Sequence, residues 1–204
     1  MKPNKNSKTM RFHKISFSII FSLAFLLSTQ VALSQNGFQL GSSQEFKVTG
    51  TSTLHDWDMI SDGARGQATI VVEDNQIKEI QSLRVDLPVK SLKSGNNRMD
   101  RTAYSAIDAD KHTNVRFVLT EVRNITPQQV VARGNLTVAG TTRAVTLRTN
   151  YRVNGNSIRF FGAEEIKFSQ FDVDPPTALL GTVRTGDDLE ISFDVNFDSS
   201  GRAK

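Results

Sequence analysis

The 204-residue sequence contains no cysteine. This absence excludes disulfide bonds, thiolate catalysis, a lipid anchor on an N-terminal cysteine and any cysteine-based zinc or iron–sulfur site. Histidine is also scarce, and beyond residue 34 the chain has only His55 and His112. These two do not form an H-x-x-x-H pair, and zinc sites normally need three or four protein ligands. The sequence therefore predicts no metal site and no cofactor, and a fold that is stabilised by packing alone.

Residues 1–34 have the layout of a secretory signal peptide. Five basic residues and no acidic residue come first, and an apolar stretch follows at residues 15–27. Ala32 and Ser34 then supply small side chains at a cleavage site before Gln35. A membrane anchor is the alternative, but the apolar run is shorter than the roughly 20 residues that a span needs. We therefore predict export with cleavage after Ser34, and no stable membrane span.

The basic character of the whole chain comes from this leader. The chain has 25 Lys and Arg residues against 21 Asp and Glu residues. Residues 1–34 hold five basic residues and no acidic one, so the remainder has 20 against 21 and a net charge of −1. A folded part with this charge has no basic footprint for nucleic acid, and we predict no nucleic-acid partner.

Alternating apolar and polar residues dominate the rest of the chain. The clearest alternation places five apolar residues on one face: Leu189, Ile191, Phe193, Val195 and Phe197. Similar patterns occupy residues 46–50, 68–72, 83–89, 115–119, 147–153 and 158–168. Period-two patterns separated by turn residues are typical of short antiparallel strands with one apolar face. They predict an all-β fold, either a barrel or a sandwich.

One segment, residues 98–109, departs from this alternation. Its apolar residues recur at helical spacing: Met99, Ala103, Ala106 and Ile107. We predict a short helix there, with Asn97 as its N-cap. The sequence shows no internal repeat and no second domain. It predicts one domain over residues 35–198 and a flexible tail at residues 199–204.

The most informative motif lies at residues 134–147. It reads GNLTVAGTTRAVTL and matches the pattern G-x-L-T-x-x-G-x-T-[KR]-x-V. This pattern resembles the YceI-like family of exported polyisoprenoid-binding proteins. Further pieces resemble that family in the same order, at residues 51–57, 98–110, 115–117 and 168–173. The chain departs from the family's usual Phe-Phe-Asp stretch, where it has Ala106-Ile107-Asp108.

The resemblance implies a single elongated, lipocalin-like antiparallel β-barrel of about eight strands with one short helix, whose interior can hold one ligand. It implies a non-enzymatic carrier, periplasmic or secreted, for a long-chain apolar lipid such as an isoprenoid or an isoprenoid quinone. It leaves a homodimer open. The candidates to line the cavity are Trp57, Phe117, Leu119, Leu136, Val138, Leu147, Phe160, Phe168, Leu179, Leu180, Phe193 and Val195. The candidates to meet a head group at the cavity mouth are Arg98, Arg101 and Lys111.

Several features keep alternatives open. The cluster at residues 55–58 fits either a metal or acid–base site centred on His55 or a strand-end turn with Trp57 as an aromatic anchor. The acidic turns at residues 172–176 and 185–188 fit either a calcium site or structural loops. The D-x-D-x-D-G spacing of a calcium loop is absent, and Pro175-Pro176 imposes an extended backbone that favours a structural loop. The apolar loop at residues 176–181 is expected to close the barrel mouth or to pack against the core. A hydrolase or other enzyme on the same barrel, and a ligand-free structural or interaction domain, are the alternative functions.

Overall fold

The alternating pattern forms a β-barrel in the structure, a computed structural model that describes Met1 and residues 36–200. The predicted cleavage site and residues 201–204 lie outside the described residues. The fold belongs to one unit of the chain, Ser34–Lys204. Its strands are β1 (Asn36–Ser52), β2 (Trp57–Ser61), β3 (Arg65–Glu73), β4 (Gln76–Pro88), β5 (Asn114–Ile125), β6 (Gln129–Val138), β7 (Thr141–Asn154), β8 (Ser157–Lys167), β9 (Thr177–Ala178) and β10 (Val183–Ser199), and its helix α1 spans Asn97–Ala106.

Eight strands close the barrel in the order β1-β3-β4-β5-β6-β7-β8-β10, and β10 pairs again with β1. On the edge that does not pair with β10, strand β1 pairs with two different strands. Its first residues, from Asn36 to Gln39, pair with β3, and its later residues, from Phe46 to Gly50, pair with β2. β2 and β3 therefore occupy the same strand position in the barrel wall, with a break between them. The predicted fold class, an antiparallel eight-stranded barrel with one short helix, is confirmed for the described residues.

The β6–β7 hairpin shows how local sequence sets the strand register. Its two turn residues, Ala139 and Gly140, have φ angles of 48° and 81°, which is the left-handed pair that a tight two-residue hairpin requires. A side chain at Gly140 would also place its Cβ 2.6 Å from Cε1 of His112. Next to the turn, the hydroxyl groups of Thr137 and Thr142 are hydrogen-bonded at 2.8 Å. The turn thereby fixes which residues of both strands face the barrel interior.

Helix α1 begins and ends earlier than the sequence predicts. Its N-cap is Asn96, whose side-chain oxygen accepts hydrogen bonds from two backbone N–H groups of the first turn at 2.9 and 3.3 Å. The predicted cap, Asn97, is the first helical residue. The helix ends at Ala106 because the backbone soon turns left-handed, with a φ angle of 48° at Asp108. Two asparagines in a row made the cap ambiguous, since both are good N-cap residues.

Side-chain hydrogen bonds hold α1 across one end of the barrel. Asp100 is only 5% exposed, and its carboxylate accepts hydrogen bonds from the N–H of Ser94 at 2.9 Å and from its hydroxyl at 2.6 Å. The hydroxyl of Tyr104 donates to the carbonyl oxygen of Leu92 at 2.5 Å. The apolar side of the helix, including Met99, packs against the main hydrophobic core. These contacts make the helix a fixed part of the barrel end.

Strands β7 and β8 pair along only part of their length. Their ladder runs from Asn150 to Asn154 on the β7 side, although β7 continues to Thr141 and β8 to Lys167. The segment after β8 turns back and buries Phe171 and Val173 in a second core cluster with Leu136, Ile166 and Leu189. This segment completes the wall near the end that carries α1.

The last strand continues into the segment predicted as a tail. Ser199 belongs to β10, and Ser200 donates its backbone N–H to the carbonyl oxygen of Gly37 at 2.7 Å. Both residues are therefore attached to the first strand. Among the helices that the structure describes, none has the length and apolar character needed to cross a membrane.

Candidate ligand cavity

The barrel encloses a cavity of about 480 Å³, within the range of roughly 300–1,000 Å³ that is usual for small-molecule sites. At the end formed by the β3–β4, β5–β6 and β7–β8 hairpins, the side chains of Ile70, Tyr151 and Ile158 are buried and close the barrel. Tyr151 also donates its hydroxyl to the carbonyl oxygen of Thr126 at 3.0 Å. The cavity therefore has one packed end, and its mouth lies at the end that carries α1.

Most of the cavity residues that the sequence predicts do border this space. They are Trp57, Phe117, Leu119, Leu136, Val138, Leu147, Phe160, Phe168, Phe193 and Val195. Leu180 does not border it: this side chain is fully exposed, because the left-handed backbone at φ 56° places it at the tip of the turn between β9 and β10. The side chain of Leu179 is outside what the structure describes.

Strand β4 contributes lining residues that the sequence interpretation left out. Leu83, Val85 and Leu87 all border the cavity, and they follow the same period-two alternation as the predicted ones. Ile191 of β10 also borders it. The pattern identified each of these residues as apolar and co-facial. It did not indicate that this face turns towards an open interior, because a filled core gives the same alternation.

The predicted head-group residues lie at different places around the mouth. Arg98 of α1 borders the cavity itself. Arg101, one helical turn further, lies with Arg98 along a shallow surface groove beside residues 172–177. Lys111 borders neither the cavity nor this groove. The structure therefore brings two of the three predicted cations together at the mouth.

The acidic turns near the mouth are occupied by contacts within the protein. A carboxylate oxygen of Asp172 accepts hydrogen bonds from the hydroxyl of Thr141 and from the guanidinium group of Arg143, both at 3.1 Å. Asp187 accepts hydrogen bonds from the N–H of Ser169 at 2.8 Å and from its hydroxyl at 2.6 Å, and these bonds hold the pKa of Asp187 below its usual value. Both carboxylates serve to fix the segment that follows β8.

His55 lies in a turn at the rim of the cavity. The hydroxyl of Ser52 donates to the carbonyl oxygen of His55 at 2.7 Å, and Nδ1 of the imidazole lies 2.7 Å from the carbonyl oxygen of Asp56. Nε1 of Trp57 donates to the carbonyl oxygen of Thr51 at 3.1 Å. No group of three or more His, Asp or Glu side chains in the described part of the chain is placed to hold a metal ion. The cluster is built as a strand-end turn that orients Trp57 towards the cavity.

Among the described residues that line the cavity, Glu164 of β8 is the only acidic one. It has the same parity along the strand as Phe160 and Ile166, which also border the cavity. Burial raises the pKa of its carboxyl group, while the positive charge of Arg148 opposes the shift and the negative charge of Glu165 adds to it. Glu164 belongs to none of the motifs of the sequence, and a carboxyl group that borders an apolar cavity needs a hydrogen-bond partner or water.

The same barrel fold occurs in known proteins. A family model described as the YceI-like domain matches residues 41–197, and a search of curated proteins found no match. The crystal structure of Burkholderia cenocepacia BcnA is 19% identical with a TM-score of 0.63, over 75% of this chain and 95% of BcnA. The Campylobacter jejuni YCEI protein is 19% identical with a TM-score of 0.54, over 67% and 82%. A polyisoprenoid binding domain from Saccharophagus degradans, implicated in plant cell wall breakdown, is 7% identical with a TM-score of 0.61, over 81% and 99%.

Proposed function

This chain belongs to the YceI-like family, and on that basis we propose that it is a carrier that holds a long-chain apolar lipid, an isoprenoid or an isoprenoid quinone, inside its barrel. The observation that carries the proposal is the apolar cavity, which is packed shut at one end and bordered by side chains from α1 at the other. The fold that the chain shares with a polyisoprenoid binding domain supports the ligand class.

Burial of an apolar chain would supply the affinity. Each methylene removed from water contributes about 0.8 kcal/mol, so ten of them contribute about 8 kcal/mol, from which the cost of association must still be subtracted. Phe117, Leu119 and Phe193 are only partly buried although they face the interior. These side chains are the surface against which a lipid tail would pack.

The two arginines at the mouth suit the polar end of such a lipid. Neither Arg98 nor Arg101 forms an ion pair within the described residues, and the nearby Asp172 is already paired with Arg143. A guanidinium group presents a planar fork of N–H donors to phosphate or carboxylate oxygens. The proposed orientation therefore places the lipid tail inside the barrel and oxygen acceptors of the head group at α1.

The polar groups at the cavity favour a carrier over a hydrolase. Nucleophilic catalysis needs a hydroxyl or thiol that is hydrogen-bonded to a base. The hydroxyl of Ser52 donates to a backbone carbonyl, and the imidazole of His55 faces another backbone carbonyl rather than a serine. Neither side chain is arranged as a nucleophile with its base, so we propose that the protein is not an enzyme.

The proposal includes export, because the leader-like residues 1–34 precede the barrel. We propose that the mature protein is periplasmic or secreted and begins at Gln35. N-terminal sequencing of protein purified from its native host should start at Gln35 or within a few residues. A full-length chain recovered from the cytoplasm would contradict export and leave lipid binding to be judged separately.

Extraction of bound lipid tests the proposed function directly. Protein purified without detergent is extracted with organic solvent, and mass spectrometry of the extract should show a prenyl-chain lipid at close to one equivalent. Protein that is delipidated, unfolded and refolded should take up farnesol and become more stable to heat. An extract without lipid, together with refolded protein that takes up no farnesol, would support a ligand-free structural domain instead.

A further inference from the structure

The polar residues that border the cavity are unevenly distributed along it. Most come from the mouth: Ser52, His55, Asn96, Arg98, Thr102, Thr177 and Thr185. Two lie deeper, Thr149 in β7 and Glu164 in β8. A polar group inside an apolar cavity costs free energy unless it has a hydrogen-bond partner. The partners of these two side chains therefore carry information about what fills the cavity.

Thr149 has its partners within the protein. Its hydroxyl lies 3.2 Å from the carbonyl oxygens of Asn150 and Phe161. The second of these bonds joins β7 to β8 at the point where their ladder ends. The fold therefore satisfies the hydroxyl group of Thr149, which needs no hydrogen bond from a ligand.

Glu164 has no such explanation. Its backbone is placed opposite Ile191 of β10, and its neighbours of the same parity, Phe160 and Ile166, are buried and apolar. The carboxylate forms no hydrogen bond and no ion pair with a described residue; its interactions are the longer-range ones with Arg148 and Glu165. Before a ligand binds, water in the cavity can solvate this group. A ligand that fills the cavity removes that water.

A purely hydrocarbon segment beside Glu164 would leave a buried carboxyl group without a partner. An anionic group would be repelled at short range. The ionised carboxylate only accepts hydrogen bonds, so a hydroxyl or amine can pair with it and an ether cannot, and hydrogen bonds to charged groups are the stronger ones. We infer that Glu164 selects, among prenyl lipids, those with a hydrogen-bond donor that reaches the interior of the barrel. This inference rests on the proposed lipid-carrier function and narrows it to lipid alcohols and amines.

The position of Glu164 fits such a ligand. It lies three residues before the end of β8 at Lys167, which is roughly 10 Å along a strand, and six residues after Ile158 at the packed end, which is roughly 20 Å. The larger of these spans leaves room for a chain of several isoprene units below the carboxylate. A head group with a donor facing Glu164 and acceptor oxygens facing Arg98 would satisfy both.

Matched farnesyl compounds test this selectivity. Farnesol carries a donor, farnesyl methyl ether has the same chain without one, and farnesyl diphosphate carries negative charge. Trp57 is the single tryptophan of the chain and borders the cavity, so its fluorescence can report binding. The delipidated wild-type protein should bind farnesol at least about tenfold more tightly than the ether.

Substitutions assign the preference to one side chain. Glu164→Leu should bind farnesol and the ether with equal affinity, and Glu164→Gln, which keeps the shape, should show a reduced preference. Glu165→Leu is the matched control, because Glu165 is exposed on the outer face of the same strand, and it should keep the wild-type preference. Thermal melts check that each variant folds.

Two results would overturn the inference. If the wild-type protein binds the ether as tightly as farnesol, Glu164 selects nothing, whatever the variants do. If Glu164→Leu folds and keeps the preference for farnesol, another group is responsible. Both results leave the lipid carrier intact. Failure of all three farnesyl compounds to bind would instead remove the proposed function, and this inference with it.

Discussion

Replacing Val138 by tryptophan should separate an open cavity from a filled core. Val138 is the last residue of β6, and its half-buried side chain borders the cavity. In a close-packed interior the larger ring would force its neighbours apart, at a cost of about 1–3 kcal/mol. In a cavity of about 480 Å³ the ring instead has space to enter. The two situations predict opposite effects on stability and on binding.

The magnitudes follow from the space that the ring would occupy. An indole that displaces about four methylenes of the ligand removes about 3 kcal/mol of burial, so the affinity for farnesol should fall by more than about 100-fold. The Tm of the ligand-free protein should change by less than about 2 °C. Overpacking would lower it by roughly 2–12 °C for a domain of this size.

Val118→Trp is the matched control, because Val118 is 37% exposed on the outer face of β5. This variant should keep both the Tm and the affinity for farnesol. Thermal melts of delipidated protein measure the Tm. Calorimetric titration with farnesol measures the affinity of the wild type and both variants, because an introduced tryptophan would obscure the fluorescence of Trp57. A Val138→Trp protein that binds farnesol like the wild type would refute the placement of this residue in the binding space. One that unfolds would indicate a filled interior.

Three further changes test the frame around the cavity. Gly140→Ala should lower the free energy of unfolding in urea by about 1–3 kcal/mol, since the position has a φ angle of 81° and no room for a Cβ. Burial by itself would raise the pKa of Asp100, but hydrogen bonds from Ser94 outweigh it and the pKa lies below its usual value. Asp100 therefore stabilises the fold above about pH 4, and Asp100→Asn should lose about 1–3 kcal/mol at neutral pH but approach the wild type as the pH falls below that value. Arg98→Glu combined with Arg101→Glu should weaken binding of farnesyl diphosphate by at least about tenfold and leave farnesol binding nearly unchanged.

The sequence predicts the barrel well because the signals that define its strands and hairpins are local. The alternation that includes Leu189, Phe193 and Val195 fits only a strand with one apolar and one polar face. The structure places these residues on the inner face of β10. The turn at Gly140 fixes the pairing of β6 with β7, since only a left-handed backbone closes it. Neither signal depends on distant parts of the chain. The depth of the cavity does depend on distant parts of the chain, because it is set by which strands pair and by the distance between opposite walls of the barrel.

Leu180 and Glu164 show where residue type misleads. An apolar residue in a loop was expected to be buried, yet Leu180 is exposed because its backbone conformation at the tip of a turn decides its direction. A glutamate in a strand belongs to no motif and attracts no prediction from its residue type, yet its even-numbered parity with Ile158, Phe160 and Ile166 places Glu164 at the cavity. Strand geometry outweighs side-chain preference at both positions. At Glu164 the half-buried carboxyl group borders the cavity and has no hydrogen-bond partner among the described residues, and a ligand with a hydrogen-bond donor would supply that partner.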